Sequence, residues 1–433
     1  MVKSMKKYIL LVSLGVLGLL VLLGSPQLIS AQQLPGQLRS IGVDASKASI
    51  PLDQILSGGP PPNGIPALGF QEDWQGASPA TNQATFISQE EASEWLGARE
   101  PVIAFFVNGE AKAYPLQILT WHEIVNDTVG GVPVAVTFCP LCNSALAFDR
   151  RLPLTQASLD ETLSLNGAMQ LAEPDEAFLA AYALQGDDAE SIVQTSEITF
   201  GVSGALYNSN MLMFDNQTST LWSQLLGVGV LGALNEVRLL RYPAQIVSFE
   251  EFQEAFPDAP VLSRDTGFNR RYGSNPYVGY DDIDSPAFLF RGEADGRLPP
   301  KARVVSVESP SEDVAYPFEA IAASGVINDV VGDMPVTLFW QEGTASALDT
   351  GSIESGRDVG SVGIFSRDLD GQVLTFERTE SGFIDAETGS EWNILGQAVS
   401  GELAGQQLTP VVHDNTLWFA WAAFKPDTRI YSN

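Results

Sequence analysis

Residues 113–127 read AYPLQILTWHEIVND, and residues 315–329 read AYPFEAIAASGVIND. The offset of 202 between them holds through Gly130 and Gly332, Pro133-Val134 and Pro335-Val336, and Ala145-Leu146 and Ala347-Leu348. Further on, Phe214-Asp215 to Trp222 parallels Ile384-Asp385 to Trp392 at an offset of 170, and Phe256-Pro257-Asp258 parallels Phe424-Lys425-Pro426-Asp427. The offset falls because the first copy carries an acidic insert at 152–196. Two copies are too few for a solenoid. The expectation is therefore two homologous lobes, 101–263 and 303–433, produced by an internal duplication and joined by a crossing segment at 264–302. A pseudo-two-fold axis with a cleft between the lobes is the usual outcome of such a duplication.

Within each copy, Tyr-Pro is read as opening a helix that ends near Asn-Asp, and Pro133 or Pro335 as opening a Val-rich strand that leads through a turn into a second strand. Pro101 to Val107 reads as an apolar strand, Asn108-Gly109 as a hairpin turn and Glu110 to Tyr114 as the returning strand. Gln89-Glu90-Glu91-Ala92 reads as a short helix, and the insert as a surface excursion that is helical at Asp175 to Tyr182. The fold class is α+β and strand-rich.

Three lysines followed by an uncharged run from Tyr8 to Leu23, with Ile29-Ser30-Ala31 after it, describe a signal peptide at 1–31. An uncleaved anchor is the alternative, since a span needs about 20 apolar residues. Residues 32–100, rich in Pro and Gly, read as a leader packing on the core. The mature protein is expected in the periplasm or outside the cell. Lys and Arg total 23 against 53 Asp and Glu, a formal net charge of −30. Such a field repels nucleic acid and anionic lipid, so neither is an expected partner beyond the N-terminal segment itself.

The chain has two cysteines, Cys139 and Cys142, and two histidines, His122 and His413. A Cys-x-x-Cys turn at a strand end aims two sulfurs at one point, which suits zinc or copper. His122 and, more remotely, His413 are the imidazoles available to complete that site. Ser324, Gln341 and Thr344 stand in the second copy where His122, Cys139 and Cys142 stand in the first. The same pair reads alternatively as a redox dithiol or as a structural disulfide in a non-catalytic module that binds a small ligand. Glu123, Tyr207, Asn208, Ser223 and Gln224 are candidate ligand-binding residues. Met211 and Met213 alternate on a strand and are read as core. The cluster Trp418, Phe419, Trp421 and Phe424 reads as a buried helix face. No phosphate loop or dinucleotide fingerprint is present, so no nucleotide cofactor is expected, and Gly-x-Ser-x-Gly is absent.

Gly58-Gly59-Pro60 to Leu68, His122-Glu123-Ile124-Val125-Asn126-Asp127, Thr137-Phe138-Cys139-Pro140-Leu141-Cys142, Phe200-Gly201-Val202-Ser203-Gly204, Leu206-Tyr207-Asn208-Ser209 and Leu221-Trp222-Ser223-Gln224 together resemble a family. It is the bacterial and archaeal proteins catalogued as domain of unknown function 3179. The resemblance runs over nearly all of the mature chain. It picks out the same residues and implies no activity. Asn143 departs from the glycine that similar proteins carry after the second cysteine, and a left-handed turn accepts either.

Overall fold

A computed structural model describes residues 34–71, 84–166, 170–380 and 382–432. The proposed signal peptide lies outside the described residues. Eighteen-residue apolar helices are absent among those described, and none of these helices is long and apolar enough to cross a membrane.

The architecture is mixed α and β, with several sheets. In the first half β1 (Pro101–Val107) and β2 (Glu110–Pro115) form the expected hairpin, with Asn108 and Gly109 both at positive φ in the turn. Next come α1 (Leu116–His122), β3 (Ile124–Val129), β4 (Val132–Cys139) and β5 (Ser144–Asp149). Then follow β6 (Phe200–Tyr207), β7 (Asn210–Asp215), β8 (Leu221–Ser223), β9 (Gln245–Ser248) and α2 (Phe249–Ala255). The second half supplies β10 (Arg303–Glu308), β11 (Asp313–Pro317), α3 (Phe318–Ser324), β12 (Val326–Val331) and β13 (Met334–Gln341). It closes with β14 (Ser361–Ser366), β15 (Asp414–Leu417) and α4 (Trp418–Phe424).

Both short helices stop earlier than the sequence reading placed them. Glu123 at φ 58° and Gly325 at φ 71° break α1 and α3 one residue past their ends. The β-branched runs that follow then extend as β3 and β12. Asn126 and Asp127 therefore lie on a strand, and Asn126 shares no helix face with His122. Asn126 instead laces segments together: its Nδ2 donates to Leu68 O at 3.0 Å and Phe200 O at 2.9 Å, and its Oδ1 accepts from Phe200 N–H at 2.7 Å.

The same side-chain bonds recur in the second half. Tyr114 donates to Asp127 at 2.7 Å, and Tyr316 to Asp329 at 2.9 Å. Asn328 holds Phe376 by donating at 2.8 Å and accepting at 3.1 Å. Asp215 accepts the Trp222 indole N–H at 3.0 Å, and Asp385 that of Trp392 at 2.9 Å. Ile124 faces Thr137 across β3–β4, and Val326 faces Phe339 across β12–β13, the same register 202 positions on.

The halves diverge after β4 and β13. Pro140 to Asn143 turn tightly from β4 to β5, with Cys139 opposite Ser144. Gln341 pairs instead with Ser361, so 342–360 form a long loop in place of the expected hairpin turn. Ala347 and Leu348 lie in that loop rather than on a strand. Glycines at 343, 351, 356 and 360 suit this path.

Strand β15 pairs with β10 and also meets β5 at Asn415 and Ala145, so one sheet runs from the second half into the first. Strand β9 pairs with β1 and packs on β14, which links the halves a second time. The leader is threaded over β6: Leu56 pairs with Leu206, Gly58 N–H donates to Gly204 O at 2.8 Å, and Asn63 N–H to Val202 O at 2.9 Å. The insert adds two helices and a three-stranded sheet. Its helix Glu176–Leu184 is capped by Asp175 and buries Phe178 and Tyr182 beside Leu240.

Candidate functional site

The β4–β5 turn carries both cysteines into the interior. Cys139 is 1% exposed and Cys142 fully buried, and both are free thiols. Cys142 N–H donates to Cys139 O at 3.2 Å, and Asn143 takes φ 52°, a conformation that asparagine tolerates. The second half clamps the turn. Leu417 N–H and the Thr416 hydroxyl donate to Cys142 O at 2.8 and 3.0 Å, and Asn143 Nδ2 reaches Asn415 Oδ1 at 3.4 Å.

The two sulfurs sit in unlike surroundings. Burial alone would raise the Cys139 thiol. The Cys142 thiol and the N–H groups of Met211, Cys142 and Leu141 all bond to its sulfur, and together they bring it below the ordinary cysteine value. Burial and the Cys139 charge push Cys142 well up, against the pull of Asn210. Cys142 Sγ also lies 3.5 Å from Ser209 O, as donor, and 3.7 Å from Asn210 Nδ2. Of the two sulfurs, Cys139 is thus the one on which charge is favoured and Cys142 the one on which it is disfavoured.

Behind Cys142 stands a closed amide network. Gln224 Oε1 accepts from Asn210 Nδ2 at 2.9 Å and from Ser144 at 2.8 Å. Gln224 Nε2 donates to Thr137 Oγ1 at 3.0 Å and Ser144 O at 3.3 Å. Asn210 Oδ1 accepts Leu225 N–H at 3.0 Å, with the Ser223 hydroxyl at 3.5 Å. These bonds fix which way both amides point.

Glu123 approaches from the end of α1. Its N–H donates to Leu119 O and its carbonyl accepts Phe138 N–H, each at 2.8 Å, which holds the side chain beside β4. Burial, and then the charge of Cys139, drive its carboxyl far above the usual range, while a bond from Tyr277 pulls the other way. A non-glycine residue held at positive φ next to the cysteine pair is the kind of strain that gathers at functional sites.

The crossing segment 264–302 roofs this arrangement. Tyr280, Ala287 and Phe290 pack against the core cluster that contains both cysteines. Ser209 donates to Phe288 O. Lys301 sits 3.5 Å above the Tyr280 ring and donates to Ser285 at 2.7 Å.

Of the sequence-predicted residues, Cys139, Cys142, Glu123, Ser223 and Gln224 come together here. His122 is adjacent in the chain but faces away. Its Nδ1 meets Pro66 O at 2.7 Å and its Nε2 the Tyr272 hydroxyl at 2.6 Å, and burial lowers it to about 4. His413 Nδ1 meets Val411 O at 2.8 Å, and burial likewise lowers it to about 4. His413 lies two residues before Asn415, which meets Asn143 of the cysteine turn. Among the described residues no three His, Cys, Asp or Glu side chains gather as a metal-holding group. The Tyr207 ring packs edge-on to Phe424 at 5.7 Å, and Asn208 (φ 49°) makes the β6–β7 turn. Met211 and Met213 are buried in the core, and Met211 serves the site through its backbone N–H. The sequence reading missed Tyr272, Tyr277, Tyr280 and Thr416, whereas Ser209 and Asn210 end the run Phe200 to Asn210 whose glycines and small polar groups suit a pocket-lining loop. Three tyrosines in Tyr272-Gly273-Ser274-Asn275-Pro276-Tyr277-Val278-Gly279-Tyr280 were a signal for the roof.

The chain belongs to the family described as Protein of unknown function (DUF3179), whose model matches residues 64–428. Neither a curated protein nor a solved structure matches it.

Proposed function

We propose that the chain is an exported thiol–disulfide exchange protein whose working pair is Cys139 and Cys142. The observation that carries the reading is the asymmetry of the pair: three backbone N–H groups and the neighbouring thiol favour charge on Cys139, while burial and the neighbouring sulfur disfavour it on Cys142. The Cys139 thiolate attacks one sulfur of a partner disulfide, forming a mixed disulfide and releasing the other partner sulfur as thiolate. That thiolate takes the Cys142 proton. The Cys142 thiolate then attacks Cys139 Sγ, closing the Cys139–Cys142 disulfide and releasing the second partner sulfur. Two electrons pass from the dithiol to the partner disulfide. Glu123, whose charged form burial and the Cys139 charge disfavour, would supply a proton to the second departing thiolate.

The test is incubation of the reduced full chain with glutathione disulfide, followed by mass spectrometry. Wild type should form an internal disulfide, Cys142→Ser should stop as a glutathione adduct on Cys139, and Cys139→Ser should form none. A reduced wild type that consumes no glutathione disulfide defeats the reading.

A second reading is a transition-metal site on the same pair. Zinc asks for four ligands, and the histidines expected to supply them face elsewhere. Copper(I), which thiolates select, is the metal that two sulfurs alone suit. One copper(I) per chain, abolished by Cys139→Ser in a competition with a chromophoric chelator, would favour it over exchange chemistry.

We also infer an internal duplication relating 101–263 to 303–433 about a pseudo-two-fold axis. The recurring Tyr–Asp, Asn–backbone and Asp–Trp bonds and the matched strand register support it. So does the reciprocal packing, β15 against β5 and β9 against β14. On this reading one copy holds the dithiol and the other holds it in place.

A further inference from the structure

The two halves meet at a hollow that neither cysteine lines. Phe106, Gln245 and Phe256 face it from the first half, and Phe365, Gln407 and His413 from the second. His413 is 4% exposed, a buried imidazole bordering an open space. Its Nδ1 lies 2.8 Å from Val411 O, and a carbonyl oxygen only accepts, so Nδ1 carries the hydrogen. Burial, helped by the Arg241 charge, lowers the ring to about 4 and keeps it neutral near pH 7. Nε2 is then a bare lone pair, and no group among the described residues donates to it.

The other walls narrow what could meet that lone pair. Gln407 spends its amide NH2 on the carbonyls of Leu395, Gly396 and Leu408, at 2.9, 3.2 and 3.0 Å, so what it has left to offer is also an acceptor. Gln245 donates to Ile394 O at 3.0 Å. Among the described residues no charged side chain lines the hollow, so an ion entering it would lose water and gain no counter-charge. The remaining walls are apolar. Phe106, 38% exposed, stacks on Phe256 with ring centroids 5.7 Å apart. At about 40 Å³ the space takes a small group, and the rest of a ligand must lie outward against Phe106. A hydroxyl on an aromatic ring meets each condition: it donates one hydrogen bond, carries no charge and has an apolar body to set against the phenylalanines. We propose that this hollow binds a neutral phenol, whose hydroxyl donates to His413 Nε2 and whose ring rests on Phe106 and Phe256. The site is separate from the cysteine pair and does not depend on exchange chemistry.

The test titrates the full chain, carrying nitrogen-labelled histidine, with para-fluorophenol and with para-fluorotoluene, which has the same shape and no donor. With two histidines in the chain, each ring nitrogen can be followed separately. By fluorine NMR the phenol should bind about tenfold more tightly than the toluene, the worth of one hydrogen bond to a buried acceptor. It should also move the Nε2 resonance of His413 and leave that of His122 in place. His413→Phe keeps an apolar wall and removes the acceptor, so the preference for the phenol should vanish. Phe106→Asp, at an exposed position, should weaken both ligands about tenfold, and it tests the site even where His413→Phe does not fold. Wild type that binds neither ligand or binds both equally, a shift at His122 in place of His413, or unchanged binding in Phe106→Asp overturns the proposal.

Discussion

Glu123 and Gly325 occupy the same place, one residue past a short helix, at φ 58° and 71°. Glycine takes that conformation freely, and another residue pays about 1 kcal/mol. The variant Glu123→Gly should therefore keep or raise stability in urea melts while slowing the glutathione-disulfide reaction at least tenfold; equal rates would remove Glu123 from the chemistry. Gln224 acts one step further out, by aiming Asn210 at Cys142. Gln224→Met should leave an Asn210 N–H and a Ser144 hydroxyl unmet, costing about 1–3 kcal/mol, and it should shift the pH profile of Cys139 alkylation, which a purely structural role would not move. His122 offers a test by pH. Its value of about 4 lies below the ordinary 6.5, so its neutral form is favoured by folding. That stability is complete above pH 6.5 and is lost as pH falls toward 4. The stability difference between wild type and His122→Gln should therefore shrink by about 2 kcal/mol from pH 7.5 to pH 5. A pH-independent difference would mean that the imidazole takes up its proton in the fold as readily as in the unfolded chain. The cysteine pair and Glu123 drew notice in the sequence as scarce or unrepeated residues, and Gln224 as a polar side chain that follows Trp222 and Ser223. The turning of His122 toward Pro66 was not, because helix phase alone does not say which neighbour fills the space beside a ring.

At the scale of elements, the hairpin β1–β2 was readable from Asn108-Gly109, and the buried face of α4 from its aromatics. The ends of α1 and α3 were misjudged, since Asn-Asp is a helix-ending signal with equal use inside a strand when its amide has backbone to bond. The repeated Asp–Trp pair shows how one element is held in each half. Asp215 accepts the Trp222 indole and the Thr218 hydroxyl, at 3.0 and 2.7 Å, and Asp385 accepts Trp392 and Thr388 at 2.9 and 2.8 Å. Trp222→Phe and Trp392→Phe each leave a buried carboxylate short of one donor. Each should cost about 1–3 kcal/mol in urea unfolding, and the two costs should be similar. A large cost in one and none in the other would show that the two bonds do different work.

At the scale of the molecule, what the sequence could not show is how the halves clasp. Repeats fix which segments correspond, whereas sheet pairing between distant segments is decided by packing. Strand β15 of the second half lies against β5 and clamps the cysteine turn, and its first residue, Asp414, is buried against Arg241 of the first half at 2.6 Å. Arg241 also reaches Glu308 at 2.8 Å, and Lys425 bonds Glu308 at 2.6 Å, so the clasp is an ion cluster buried at Arg241 and Asp414 and partly exposed at Glu308 and Lys425. Removing one partner from such a cluster strands the others. Arg241→Met should destabilise by about 3–5 kcal/mol, against about 0–1 kcal/mol for Arg429→Met, whose pairs with Glu312 and Asp329 are partly exposed. Because the clasp and the cysteine turn share β15, loosening one should loosen the other. Arg241→Met should therefore expose Cys139 to iodoacetamide at urea concentrations below the global transition. Alkylation that tracks global unfolding alone would mean that the halves separate only when the whole molecule does.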